Sequence, residues 1–151
     1  MSKFLPSRAN GVGFLVGLLV LNIIGVIVST QFNLGHLLAL GVEVSFTTRI
    51  QTTLFDIASM QPLFGVIFGT GFLIAMIVGH FISKWLKVLP DLVLSVAGCA
   101  AMVVTLLALK AAFNITAIGA AREWDGFLSL ALVGALSGYA FSLARQRLTK
   151  N

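Results

Sequence analysis

The stretch GVGFLVGLLVLNIIGVIVST (residues 11–30) carries no charged side chain, and Asn22 is its one amide. A hydrocarbon layer about 30 Å thick needs roughly 20 apolar residues of helix at about 1.5 Å rise per residue. This stretch has that length, and three more match it: PLFGVIFGTGFLIAMIVGHFI (62–82), LVLSVAGCAAMVVTLLALKAAF (92–113) and FLSLALVGALSGYAFSLA (127–144). Only helices and closed barrels satisfy every backbone group in lipid. A barrel would alternate apolar and polar residues over short segments, whereas these runs are long and unbroken. The first run outlasts the 7–15 apolar residues typical of a signal peptide, and Val28-Ser29-Thr30-Gln31 lacks a small-x-small cleavage pattern, so it is read as a retained anchor.

The rest of the chain agrees. Of 151 residues, 58% are hydrophobic and 10% charged, against about 25% charged in a soluble domain; mean hydropathy is +1.03. Too few polar groups exist to cover a water-soluble fold or to keep the chain disordered. Cys99, the single cysteine, excludes a disulfide scaffold. The expected fold is an all-α integral membrane protein. It forms one membrane domain over residues 1–151, with four transmembrane helices in a bundle and an amphipathic interfacial helix between the first and second spans.

Orientation follows from Lys and Arg. Lys3, Arg8, Lys84, Lys87, Arg145, Arg147 and Lys150 flank one side, seven residues against three (Arg49, Lys110 and Arg122) on the other. The excess places both termini in the cytoplasm, an even number of spans is consistent with their lying on one side, and the bias fits a bacterial inner membrane. Trp85 and Trp124 fall at span ends, where an indole is favoured at headgroup depth.

Residues 31–61 form a long connection in which Val42, Phe46, Ile50, Leu54 and Ile57 recur at steps of four and three. That is the stripe of an amphipathic helix over about 41–60. Glu43, Arg49 and Asp56 would each cost about 2.5–3.5 kcal/mol at the bilayer centre, so the segment is not a fifth span. Arg49, Thr53 and Asp56 share one face, read either as a solvated surface or as the outer mouth of a cavity. Lys110, Arg122, Glu123 and Asp125 lie on the same side, and with Arg49, Thr53 and Asp56 they make up the candidate outer polar cluster.

Within the spans, polar residues are the functional candidates, because lipid penalises them. Asn22 is read as packing glue through a bond to another helix. His80, near the cytoplasmic end of its span, is read as a headgroup contact, and Asp91 as a cap for the third span. His36 lies on the opposite side from His80, so a bis-histidine haem within one subunit is excluded and a zinc ligand set is missing. No cofactor or metal is expected. The sequon Asn114-Ile115-Thr116 abuts the membrane and carries little weight.

Small residues one turn apart make flat grooves for close helix packing: Gly13 and Gly17, Gly65 and Gly69, Ala97 and Ala101, Gly134 and Gly138. Bundle packing accounts for them, and grooves left over would serve a homo-oligomer or a membrane-protein partner. The chain lacks phosphate loops and nucleophile elbows. Its net charge of +5 sits at span ends, where it holds topology and attracts lipid rather than nucleic acid. Three functions stay open, in this order: a non-enzymatic accessory or scaffold subunit binding partner helices; an oligomeric small-solute or ion conductor; and a lipid-modifying enzyme using Asp56, Glu123 and Asp125.

Overall fold

A computed structural model describes residues 8–86, 89–114, 116 and 118–149. Lys3, Lys87, Ile115 and Lys150, used above for orientation or the sequon, lie outside the described residues. Four long helices follow in order: α1 (Arg8–Ala39), α2 (Phe46–Leu86), α3 (Pro90–Phe113) and α4 (Trp124–Thr149), with a 3-10 turn (Gly119–Arg122) before α4. Each helix packs on its sequence neighbours and α4 closes on α1, an up-down-up-down bundle. The starts of α1 and α3 and the ends of α2 and α4 lie together (the termini end); the 40–45 connection lies at the opposite, hairpin end.

Phe64, Phe68, Phe72 and Met76 recur every fourth residue on α2 and are buried against Leu21, Val26, Leu94, Met102, Leu130 and Val133. The Phe64 and Phe68 rings stack with centroids 4.2 Å apart. The outside is as apolar as the inside: Leu19, Val66, Ile74, Val96, Val104 and Leu132 are each more than half exposed. Water would penalise that surface and lipid would not. All four helices are long and apolar enough to cross a bilayer. These are the features of an integral membrane protein.

The amphipathic segment is helical, as its periodicity predicts, but it is not a separate element. It runs without a break into the second span, so α2 has 41 residues and Pro62 lies inside it rather than at a first turn. The physical reason is phase. Ile57 and Phe64 are seven residues apart, so they share one face and Ile57 packs on the core cluster that Phe64 belongs to, while Phe46, Ile50 and Leu54 stay exposed. One ladder bond is lost, because Pro62 has no N–H for the carbonyl of Ala58. α2 starts at Phe46, and not near residue 41, because Ser45 caps it: its Oγ accepts from Thr48 N–H at 3.2 Å. α1 likewise runs nine residues past Thr30. It ends where Gly41 adopts φ +83°, with Val42 N–H bonding to the Leu37 carbonyl and Gly41 N–H to the Leu38 carbonyl. That is a Schellman stop.

At about 1.5 Å per residue, α1 (32 residues) and α2 (41 residues) are about 48 and 62 Å long. α3 and α4, with 24 and 26 residues, reach about 36 and 39 Å. The α1–α2 hairpin therefore overruns the other pair.

Candidate functional site

At the hairpin end, polar side chains of α2 meet polar side chains of α1. Thr30 Oγ1 donates to Asp56 Oδ2 at 2.7 Å. Gln31 uses both ends of its amide: Nε2 donates to Thr53 Oγ1 at 3.1 Å and Oε1 accepts from Arg49 at 3.1 Å. Arg49, Thr53 and Asp56 do share a face, and that face is turned to α1. Arg49 and Asp56 do not pair with each other; each takes a neutral partner. Thr30 and Gln31 were missed because they end the first apolar run and read as a terminus, although a Thr-Gln pair before eight more helical residues is a legible signal.

Beside this seam opens a groove of about 670 Å³, walled by Ile27, Ile50, Leu54 and Ile57 with Arg49 and Gln31 among its lining. Phe46 and Leu54 are 77% and 62% exposed at its edge. Among the described residues Gln31 is the only side-chain partner of Arg49, so most of the five N–H donors of a guanidinium remain available.

The remaining ionisable residues of the cluster lie elsewhere. His36 Nε2 is 3.3 Å from Glu123 Oε1, joining α1 to the turn before α4. Beside it Asn33 packs on Gly119, where a methyl group would collide with the amide. Lys110, Arg122 and Asp125 are exposed, with no side-chain hydrogen bond or ion pair to a described residue. The outer ionisable residues thus form two separate groups, α1–α2 and α1–α4, with three side chains standing apart.

A second polar cluster occupies the termini end. Arg145 donates to His80 Nδ1 at 2.9 Å. A guanidinium has no acceptor, so the imidazole nitrogen must accept, and this bond ties His80 of α2 to α4. Asp91 does not cap α3, whose N-cap is Leu89 without a side-chain bond. Its carboxylate instead accepts from Ser142 and Gln146 of α4. Pro90 opens the helix with φ preset and its missing N–H among the groups that have no helical partner anyway, which frees Asp91 for the crossing. The legible signal was Ser142 and Gln146, spaced four apart on α4.

Asn22 is buried, yet its Nδ2 donates to the Leu18 carbonyl of its own helix at 3.0 Å, not to a neighbour. The small-residue positions all face partners within the bundle. Gly13 lies against the Phe141 carbonyl, Gly17 against the Phe72 ring and the Ser137 carbonyl, Gly65 against Asn22 and Gly69 against Leu18. Ala97 fits on Gly79, Ala101 is buried, and Gly98, Gly134 and Gly138 bring α3 and α4 into backbone contact. Cys99 is a half-buried free thiol. Among the described residues no group of three His, Cys, Asp or Glu is placed to hold a metal ion. No protein-family model, curated protein or solved structure matches the chain.

Proposed function

We propose that this protein is a non-enzymatic accessory subunit of a larger membrane protein, and that the groove on the α1–α2 hairpin is where the partner docks. The single observation behind this reading is an apolar-walled groove with an under-used guanidinium in its lining, at the hairpin end of α1 and α2. The small-residue grooves are taken up inside the bundle, so recognition falls to this hairpin. The occupant is a partner helix that presents apolar side chains to Ile50 and Leu54 and a carbonyl or carboxylate to Arg49. The stacked rings of Phe64 and Phe68 lie in the core, which weighs against a conducting path through a single copy. The Lys and Arg imbalance of seven to three supports a bacterial inner membrane with the termini end in the cytoplasm.

A photo-crosslinking side chain at Leu54, activated in native membranes, tests the reading. A discrete protein adduct at Leu54 that is absent with the crosslinker at lipid-facing Val66 is the expected result. Lipid adducts alone at both positions would refute it.

A further inference from the structure

At the termini end the charges do not balance. Arg8, Lys84, Arg145 and Arg147 gather there, and Asp91 is the one acidic side chain. The other four, Glu43, Asp56, Glu123 and Asp125, lie toward the hairpin end. Asp91 is already engaged by Ser142 and Gln146.

Arg145 feels this shortage most directly. It is half-buried, its base set against Gly13 of α1, where a Cβ would stand 3.4 Å from Arg145 Cβ. Among the described residues its side chain has one partner, His80, reached across the bundle from α4 to α2. An imidazole that accepts through Nδ1 is neutral, so no counter-charge comes from it. A half-buried cation without an anion is costly, and the N–H groups of a guanidinium form a planar fork that matches phosphate. Lys84 follows His80 by four residues, so it stands one turn further along the same face of α2. Two cations thus flank one neutral ring.

The surroundings indicate where a phosphate would come from. Leu73, Ile77 and Phe81 precede Lys84 at steps of four, four and three, and all three are exposed. Trp85, next to Lys84, is 90% exposed, and an indole is favoured at headgroup depth. An apolar lane that ends at cations suits a phospholipid, with an acyl chain along the lane and the phosphate at its end. A free phosphate would gain nothing from the lane. A zwitterionic lipid would add an ammonium to an end whose single carboxylate is taken. The lane lies on the outer surface of α2, so its occupant needs no cavity.

We propose that Arg145 and Lys84 hold the phosphate of an anionic phospholipid in the leaflet at the termini end. This is a site for one headgroup, at the opposite end of the molecule from the docking groove and independent of it.

Phosphatidylglycerol brominated high on its acyl chains tests it, because bromine quenches a tryptophan that it touches. With Trp124→Phe as background, Trp85 alone reports from phosphatidylcholine vesicles. Brominated phosphatidylglycerol should quench Trp85 at a mole fraction at least about fivefold below that needed with brominated phosphatidylcholine. Arg145→Gln should abolish this preference and Lys84→Gln should reduce it. Arg147→Gln removes the same charge from an exposed position two residues away and should leave the preference intact. Absence of any preference, or equal losses in Arg145→Gln and Arg147→Gln, would overturn the proposal. Should Arg145→Gln fail to fold, Lys84→Gln decides: a loss no greater than that of Arg147→Gln overturns it too. Inorganic phosphate separates the two sources. Relief of the quenching beyond that given by sodium chloride at equal ionic strength would assign the site to free phosphate and overturn the lipid, whereas equal relief supports it.

Discussion

The α3–α4 interface and the hairpin end of α1–α2 are both helix contacts, built in opposite ways. Between α3 and α4 the backbones themselves meet. Gly98 faces the carbonyl of Gly134, Gly138 faces the carbonyl of Leu94, and Ser95 Oγ donates across to the Ala135 carbonyl at 2.9 Å. At the hairpin end the helices are spaced by side chains, Thr30 to Asp56 and Gln31 to Thr53 and Arg49. Backbone contact leaves no room for anything else. Side-chain spacing leaves a groove and donors to spare. The first interface holds the bundle, and the second offers a surface.

Breaking the tight interface should have the largest effect. In Gly98→Leu the new side chain must displace the α4 backbone at Gly134, since even a Cβ collides there. We expect a loss of at least about 3 kcal/mol, or failure to fold, read by unfolding in detergent. A wild-type melting curve would mean the backbones are not in contact. Next is Asp91→Ala, which strips Ser142 and Gln146 of a charged acceptor. The expected cost is about 2 kcal/mol by the same measurement. At the hairpin end the same kind of truncation should cost less. Asp56→Ala leaves Thr30 with the Val26 carbonyl as acceptor at 3.0 Å, so about 1 kcal/mol is expected. A loss as large as that for Asp91→Ala would erase the contrast between the two regions. Smallest in stability is Arg49→Gln, which removes one part-buried bond to the neutral Gln31. We expect a change within about 0.5 kcal/mol together with a several-fold fall in the Leu54 crosslink. Stability and docking should separate there, and a parallel loss of both would merge them.

The spans were legible because lipid imposes a length and an absence of charge, and both are one-dimensional properties. The stripe from Phe46 to Ile57 was legible for a similar reason, as periodicity needs no partner to be seen. Its fusion with the second span was not, because Pro62 has the same sequence signature at a first turn and inside a helix. Thr30, Gln31 and Asp91 show the larger gap. Each has a meaning as a terminus or cap along the chain, and each acquires another only when a second helix comes alongside. Small-residue spacing has the same limit: Gly134 and Gly138 announce a close contact without naming Gly98 and Leu94 as the contacts. The polar residues of the outer side were read as one group because they share a side. The helices sort them by neighbour instead, with Glu123 going to His36 and Asp56 to Thr30.

The continuity of α2 has a mechanical consequence. A single rod reaches from Phe46 at the hairpin tip to Ser83 and the His80–Arg145 contact at the opposite end. Its one missing rung, at Ala58, sits just above the stacked phenylalanines that clamp it in the core. Leverage applied to the tip is therefore taken up first at that soft joint, and whatever the clamp does not absorb arrives on the far side of the bilayer as a tilt of His80 against α4.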